Sequence, residues 1–160
     1  MKTLLLLRHA KSSWHDDSID DHDRPLNDRG RRDAPRMGAL IAEKGLVPDR
    51  ILTSTAVRAR TTAAAVADAC GFQDDLIEVG EMYLAPPVTL LECAARQSAS
   101  ITTMLLVAHN PGMATLVSAI AGESAEMPTA ALAQVRVDGE WADLAEAALT
   151  LVDVWRPKQL

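Results

Sequence analysis

The sequence predicts an α/β fold, a three-layer αβα sandwich whose central sheet is mainly parallel. Continuous apolar runs at 3–7 and 103–108 are typical of strands buried on both faces of a sheet. Segments with helical spacing alternate with such strands, as in sheets that helices cover on both sides. Two further strand-like runs, ALAQVRV and LTLVDV, flank Asp138-Gly139 without an intervening helix, which predicts an antiparallel strand at the C-terminal end.

The other elements follow from helical spacing, residue propensity and the residues that end helices. Asn27 is a predicted N-cap, and apolar residues at helical spacing follow it until Gly45. Gly71 and Gly122 end runs with helical character, and Pro87 suits the first turn of a helix. The predicted elements are, in order, strand 3–7, loop 11–25, helix 28–44, strand 50–53, helix 56–70, strand 76–79, helix 87–97, strand 103–108 and helix 111–121.

The size and composition of the chain suit one domain spanning residues 1–160. Apolar residues make up 48% and charged residues 24%, so a packed core is expected. The net charge of −6 argues against a general nucleic-acid binder, although it does not exclude a local basic pocket. The N-terminal apolar run is too short for a signal peptide or a membrane span, so we expect a cytoplasmic protein that binds neither nucleic acid nor membranes.

Two groups of residues that often bind metals have a plainer interpretation here. Cys70 and Cys93 have neither metal-ligand spacing nor a disulfide pattern, and we expect both to be buried thiols. The five aspartates between residues 16 and 23 lack the glycine and the terminal glutamate of an EF-hand calcium loop. They and the neighbouring His22 are therefore expected to form a solvated loop.

Histidine and arginine residues lie where the predicted strands end. Arg8-His9 follows the first strand, and His109 follows the strand over 103–108. Arg58 lies in the first turn of the helix that follows a third strand. Because ligands bind outside the carboxyl ends of the strands in open α/β sheets, we expect two imidazoles and two guanidiniums at one rim.

This set of side chains suits phosphoryl chemistry. Arginine has a planar fork that matches phosphate oxygens. A neutral imidazole, whose ordinary pKa is about 6.5, can attack phosphorus and hold the phosphoryl group covalently. The second histidine and the arginines would neutralise the equatorial oxygens. The residues alone therefore predict an α/β enzyme that handles phosphate.

The helix that follows His109 offers a further contact for an anion. In HNPGMATLV, Asn110 is a candidate cap and Pro111 suits the first helical position. Gly112 and Met113 would then have free backbone N–H groups, and a helix N-terminus is a favourable anion site. We therefore count Asn110 among the candidate substrate-binding residues.

The segment LLLLRHAKSSW resembles the signature of the histidine phosphatase superfamily, which includes the phosphoglycerate mutases. Further segments, DRPLNDRG, STAVRARTTA, LLVAHNPG and MPTAALA, look most like the SixA-type phosphohistidine phosphatases. The resemblance extends from Leu4 to Pro157, with the blocks in order and at proper separations. It implies a phosphatase that works through a covalent phosphohistidine.

The resemblance also implies a role for each candidate residue. His9 would be the nucleophile that forms the covalent phosphohistidine. No metal or other cofactor is implied, because cationic side chains take its place. The phosphate pocket would be completed by Arg8, Arg58 and His109, with further substrate contacts from Arg24 and Ser12.

The sequence departs from the pattern of this family at several positions. Ser54-Thr55 replaces the usual Ser-Pro pair and Thr61-Thr62 replaces the usual Gln-Thr, and both look like packing changes. His15 stands where mutases have a phosphate-contacting asparagine. It would either donate a hydrogen bond to phosphate or, as we favour, lie in the solvated loop.

A general acid would distinguish between classes of substrate. Ester hydrolysis expels an alkoxide and benefits from a proton donor, which the mutase branch supplies from an insertion that this chain lacks. Glu81 is the nearest candidate by position, although a plain loop position is favoured. Phosphohistidine releases imidazole, a far better leaving group, so an enzyme with no dedicated acid could still cleave it.

Three hypotheses about function follow. The first is a metal-independent phosphatase that acts through phospho-His9 on the phosphohistidine of a signalling or phosphotransfer protein. The second is a phosphomonoesterase for small phosphorylated metabolites, in which Glu81 would matter. The third is a phosphoprotein-binding module without turnover, which the retention of all four core residues argues against. A mutase is disfavoured, because the chain lacks room for a lid insertion.

Overall fold

The computed structural model describes all 160 residues and contains one six-stranded sheet and four α-helices. The strands are β1 (Lys2–Arg8), β2 (Arg50–Thr53), β3 (Ile77–Glu78), β4 (Thr103–Ala108), β5 (Leu132–Asp138) and β6 (Ala148–Trp155). The α-helices are α1 (Asp28–Glu43), α2 (Val57–Cys70), α3 (Pro87–Ala95) and α4 (Gly112–Ala121). Short 3₁₀-helices lie at Asp21–Asp23, Gly80–Met82, Trp141–Asp143 and Pro157–Gln159.

The strands lie in the order β3-β2-β4-β1-β5-β6. The first four strands of the chain are parallel to their neighbours among them, whereas β5 is antiparallel to both β1 and β6. The predicted sheet, mainly parallel with an antiparallel strand at the C-terminal end, is confirmed.

Helices cover both faces of this sheet. Along β1, Leu4 and Leu6 belong to one apolar core and Leu5 and Leu7 to the other, and none of the four is exposed. Residues of α3 and α4 complete the first core, and residues of α1 and α2 complete the second. This three-layer arrangement explains why β1 is a continuous apolar run, because both of its faces are covered.

The helix ends agree with the predicted capping residues. The Asn27 side chain accepts a hydrogen bond from the Gly30 N–H at 2.9 Å. Gly71 and Gly122 adopt the left-handed conformation that ends α2 and α4.

Two elements are shorter than predicted. β3 is short because it lies at the sheet edge and pairs over two residues of β2 only. α3 ends two residues early, since the Gln97 N–H bonds to the Ala94 carbonyl in a tighter 3₁₀ pattern.

The first turn of α1 packs directly against the backbone that follows β1. The Asn27 N–H donates to the Lys11 carbonyl at 3.0 Å. A Cβ atom at Gly30 would lie 2.1 Å from the same carbonyl oxygen, so this close approach requires glycine. The packing fixes the start of the loop that leads away from His9.

Cys70 and Cys93 are buried free thiols, as predicted. No group of three or more His, Cys, Asp or Glu side chains is arranged to hold a metal ion. None of the helices combines the length and the hydropathy that crossing a membrane requires.

Candidate active site

The carboxyl ends of neighbouring parallel strands bring the candidate residues together. Arg8 at the end of β1 is level with Ala108 at the end of β4, so His9 and His109 leave the sheet side by side. A pocket of about 300 Å³ lies at this rim. All seven candidate catalytic and substrate-binding residues line it, namely Arg8, His9, Ser12, Arg24, Arg58, His109 and Asn110.

His9 is buried and held by one hydrogen bond, between Nδ1 and the Ala10 carbonyl oxygen at 2.7 Å. Because a carbonyl only accepts, Nδ1 carries the proton and Nε2 has the lone pair of the neutral ring. Burial lowers the pKa of His9 to about 3, although the bond to Ala10 opposes this, and the nearby His109 and Arg8 lower it further. The ring is therefore neutral at neutral pH, with a nitrogen free to attack.

His109 lies next to His9, with the two ring centroids 5.1 Å apart. Its Nε2 lies 2.8 Å from the Ser54 hydroxyl, and its Nδ1 is buried without a hydrogen-bond partner. Burial and then the charge of Arg58 lower the pKa of His109 to about 4, with Asp21 acting in the opposite direction. Both imidazoles of the pocket are thus neutral at neutral pH.

Arg8 and Arg58 each have a buried Nε without a hydrogen-bond partner. Arg8 donates from Nη1 to the Met127 carbonyl at 3.2 Å. Arg58, in the first turn of α2, donates to the backbone carbonyl and the carboxylate of Asp21 at 2.6 and 2.9 Å. These two Nε atoms and His109 Nδ1 are the only buried side-chain polar atoms of the chain without a partner. Since buried polar groups are nearly always paired, three such nitrogens around one pocket indicate a ligand site.

Asp21 is the one carboxylate that lines the pocket. Its Oδ2 accepts from Arg58 at 2.9 Å and from the Tyr83 hydroxyl at 2.5 Å, and its Oδ1 accepts from Arg24 at 3.1 Å. Burial alone would raise the pKa of Asp21, but these bonds and the charge of Arg58 together hold it well below its usual range. Asp21 remains exposed, as expected of a solvated loop, but the 3₁₀ turn at Asp21–Asp23 brings its carboxylate against α2, a contact that the sequence did not predict.

Arg24 and Ser12 are joined in the wall of the pocket. Arg24 Nη1 donates to Ser12 Oγ at 2.6 Å and to the Ser13 carbonyl at 3.2 Å. The Arg24 guanidinium also stacks on the Trp14 ring, 3.5 Å from its centroid. Both Arg24 and Ser12 are buried, so these contacts hold a cation and a hydroxyl at the pocket.

Asn110 caps α4 in a different way from the one expected. Its Oδ1 accepts from the Ala114 N–H at 3.0 Å, and its Nδ2 donates to the Met127 carbonyl at 2.9 Å. The prediction of a free N–H at Met113 is wrong, since this group donates to the His109 carbonyl at 2.9 Å. Asn110 lines the pocket while both ends of its amide are bonded to the protein.

The structure does not bring Glu81 or His15 into this group. Glu81 forms an exposed ion pair with Arg96, with Oε1 3.0 Å from Nη2. His15 is exposed in the loop after β1. Neither residue lines the pocket.

Two hydroxyl residues hold the pocket together, and each stands next to a position where the sequence departs from the usual pattern. Thr62 Oγ1 accepts from the Ala10 N–H at 3.0 Å and donates to the Arg58 carbonyl at 2.7 Å, so it joins the loop after β1 to α2. Ser54 fixes the ring of His109. Ser54 and Thr62 are the residues that the chain shares with the usual pairs, and the changes at Thr55 and Thr61 leave their contacts in place. The spacing of four residues between Arg58 and Thr62 was the available sequence signal, because it places both on one helix face.

The aromatic ring of Tyr83 lies beside the pocket histidines, and no pattern in the sequence predicted this position. Tyr83 meets the His109 ring edge-on, with the centroids 5.5 Å apart. Its ring also meets His22 edge-on at 4.8 Å, and His22 Nε2 lies 2.9 Å from Thr55 Oγ1. His22 is therefore half-buried and held by these contacts, beyond the solvated loop position that the sequence predicted. The remaining residues of the pocket lining are Lys11, Trp14, Leu84 and Thr129.

The arrangement can bind a small dianion beside a neutral imidazole. Four cationic side chains line the pocket against a single carboxylate. In a partly buried pocket such charges act more strongly than they would in water. The cationic residues are Arg8, Lys11, Arg24 and Arg58.

Comparison with known proteins gives consistent similarities. Residues 4–82 match the profile of the histidine phosphatase superfamily (branch 1). An uncharacterized protein of Mycobacterium tuberculosis (strain ATCC 25618 / H37Rv) is 35% identical over 163 residues, which cover 95% of this chain and 100% of the relative.

Two solved structures are similar to this chain over nearly its whole length. SixA from Nakamurella multipartitia is 28% identical with a TM-score of 0.88, and the match covers 98% of this chain and 96% of that one. SixA from Agrobacterium tumefaciens is 33% identical with a TM-score of 0.83, and the match covers 98% of both chains. Both of those proteins are provisionally assigned as phosphohistidine phosphatases.

Proposed function

The chain belongs to the histidine phosphatase superfamily, in its SixA-type branch, and we propose that it hydrolyses protein phosphohistidine through a covalent phosphohistidine on His9, without a metal ion. The observation that carries this proposal is the neutral His9 ring surrounded by residues with three unpaired buried nitrogens. A phosphoryl group next to His9 Nε2 would supply the oxygens that these nitrogens lack.

In the first half-reaction, His9 Nε2 attacks the phosphorus atom of the substrate. The Nε2–P bond forms while the bond from phosphorus to the substrate imidazole breaks. The electron pair of the broken bond stays on the leaving imidazole, which takes a proton from water. Arg8 and Arg58 line the pocket and stabilise the negative charge of the phosphoryl oxygens during this transfer.

In the second half-reaction, a water molecule attacks the phosphorus of phospho-His9. The Nε2–P bond breaks with its electron pair on Nε2, so phosphate leaves and His9 regains its neutral ring. The proton that the attacking water releases balances the one that the leaving imidazole took, so one water is consumed in the whole cycle. When the Ser54 hydroxyl donates to His109 Nε2, the neutral ring carries its hydrogen on Nδ1, and this N–H can donate a hydrogen bond to a phosphoryl oxygen. Ser54 would in this way favour the His109 tautomer that binds phosphate.

The pocket lacks a carboxylic acid that could protonate a poor leaving group. Asp21 is the one carboxylate in the lining, and its pKa is held well below the usual range, so it is ionised at neutral pH. The Tyr83 hydroxyl is already bonded to Asp21. Glu81 lies outside the pocket. These placements favour a substrate whose leaving group is imidazole rather than an alkoxide.

The proposal is tested by presenting the enzyme with a phosphohistidine-bearing protein and an aryl phosphate ester, both labelled in the phosphoryl group. We expect the wild type to release phosphate much faster from phosphohistidine, with label passing through an acid-labile protein intermediate. His9→Ala should lose both the intermediate and the turnover. His15→Ala is the matched control, because His15 is an exposed histidine outside the pocket, and it should keep both.

Other outcomes would assign a different function. Faster turnover of the ester by the wild type would identify a phosphomonoesterase for small metabolites. Saturable phosphate binding without turnover of either substrate would identify a phosphoprotein-binding module. Label on a residue other than His9 would overturn the mechanism.

A further inference from the structure

A second cavity, which we call the basic cleft, adjoins the phosphate pocket. It has a volume of about 460 Å³ and shares Arg8, Lys11 and Thr129 with the pocket. Three further cations line it, against one carboxylate, and its only apolar side chains are those of two prolines. The charged residues of the basic cleft are Arg8, Lys11, Arg29, Glu126, Arg156 and Lys158.

Cations without carboxylate partners are concentrated in this cleft. The chain has 16 Lys and Arg residues, and nine of them form ion pairs with Asp or Glu. Four of the remaining seven line the basic cleft, namely Arg8, Lys11, Arg156 and Lys158. A chain with net charge −6 has more carboxylates than cations, so a cleft with five cations and one carboxylate is a specific feature.

The cations of the cleft keep their charge, and Arg156 is also held in place. Arg156 donates from Nε and Nη2 to the Glu126 backbone carbonyl at 3.2 and 3.0 Å, so its guanidinium is positioned while its charge remains. Lys158 is exposed. Neither Lys11 nor Lys158 has an ion pair. Only Arg29 is paired, with Asp33 at 3.5 Å. Like charges gathered in one cleft repel one another, and an anion in the cleft would relieve this.

We propose that the basic cleft binds the carboxylates of an acidic segment of the substrate protein, next to its phosphorylated histidine. The proposal deepens the proposed function and rests on it. Because Arg8 and Lys11 belong to both cavities, a phosphoryl group in the pocket and a carboxylate in the cleft would lie on neighbouring parts of one substrate. A cavity larger than the phosphate pocket suits several side-chain groups rather than a single ion.

The test uses two histidine peptides phosphorylated with phosphoramidate, one with aspartates and one with serines flanking the phosphohistidine. We expect the wild type to prefer the acidic peptide by about 10-fold in kcat/KM, as three weak ion pairs would give. This preference should shrink as salt is added. Arg156→Gln/Lys158→Gln should reduce the ratio of the two kcat/KM values towards one.

The matched control is Lys44→Gln/Arg50→Gln, which removes the same charge outside the cleft and should keep the ratio. If Arg156→Gln disturbs folding, Lys158→Gln alone removes a side chain without a hydrogen bond or an ion pair and should still lower the ratio. Equal wild-type rates on the two peptides would overturn the inference but keep the proposed function. A wild type that prefers a small bisphosphate to the acidic peptide would assign the cleft to a second phosphate instead. If neither peptide is dephosphorylated, the proposed function fails and the inference fails with it.

Discussion

Asp21 Oδ2 lies 2.9 Å from Arg58 Nη2, so a carboxylate of the loop after β1 holds the most buried arginine of the phosphate pocket. This pair has two opposing consequences. It fixes the guanidinium in place, and it cancels part of the positive charge that would attract a phosphoryl group. Asp21 therefore orders the Arg58 side chain and at the same time lowers the affinity of the pocket for phosphate.

Asp21→Asn should tighten the binding of inorganic phosphate. The amide keeps an oxygen that accepts from Arg58 and loses the acceptor for Arg24. Removing the charge that repels the ligand is worth about 1 kcal/mol or roughly 5-fold in Kd. Isothermal titration calorimetry measures this affinity. Asp23→Asn is the control, because Asp23 is exposed and contacts only His22, and its Kd should not change. Unchanged or weaker binding by Asp21→Asn would show that positioning Arg58 matters more than charge.

Thr62→Val should destabilise the protein by about 1–3 kcal/mol, because the change leaves the buried Ala10 N–H without its acceptor. The measurement is the free energy of unfolding from urea denaturation. Thr61→Val is the control on the same helix, since the Thr61 hydroxyl is exposed and bonds only to nearby helix carbonyls. Equal losses in the two variants would mean that the link from Ala10 to α2 contributes no stability of its own.

Gly30→Ala should lower stability, although alanine in a helix is ordinarily about 1 kcal/mol better than glycine. The added Cβ would meet the Lys11 carbonyl at 2.1 Å, so backbone must shift at a cost of about 1–3 kcal/mol. Because Lys11 lines the pocket, kcat/KM should fall as well. Gly80→Ala, where a Cβ meets nothing within 4 Å, is the control for both thermal unfolding and activity. A stabilised Gly30→Ala variant would contradict this account of the contact.

The strands and their tips were predictable because both faces of β1 and β4 are covered. A strand that is buried on both faces is a continuous apolar run, and the polar residue that follows it lies at the rim of the sheet. Arg8, His9 and His109 could therefore be placed together before the tertiary structure was known. The helix ends at Asn27 and Gly71 were predictable for a similar reason, since capping depends on nearby backbone groups.

The position of Asp21 could not be read from the sequence in the same way. Asp21 is one of five similar aspartates, and its partner Arg58 lies 37 residues away in another element. Only the path of the loop decides which carboxylate reaches the arginine. Glu81 is the opposite case. Its position in the sequence made it a candidate general acid, but in the folded protein its carboxylate pairs with Arg96 outside the pocket. Long-range side-chain pairs of this kind depend on tertiary packing rather than on local pattern.

Lowering the pH should destabilise the protein through His9 and His109. Burial holds their folded pKa values at about 3 and about 4, below the value of about 6.5 expected in the unfolded chain. Between these values the unfolded chain takes up protons that the folded protein does not, so the free energy of unfolding falls as the pH drops below about 6.5. Each histidine contributes about 2 kcal/mol of this loss between pH 7 and pH 5.

Urea denaturation at pH 7 and pH 5 measures that loss, and His109→Asn supplies the comparison. The variant should lose about 2 kcal/mol less than the wild type over the same interval, because one of the two titrating groups is gone. Chemical shifts of the labelled histidine rings give an independent reading, since His9 and His109 should both remain neutral at pH 5 in the folded protein. Rings that protonate near pH 6.5 in the folded state would contradict the lowered pKa values of His9 and His109, and with them the expected loss of stability.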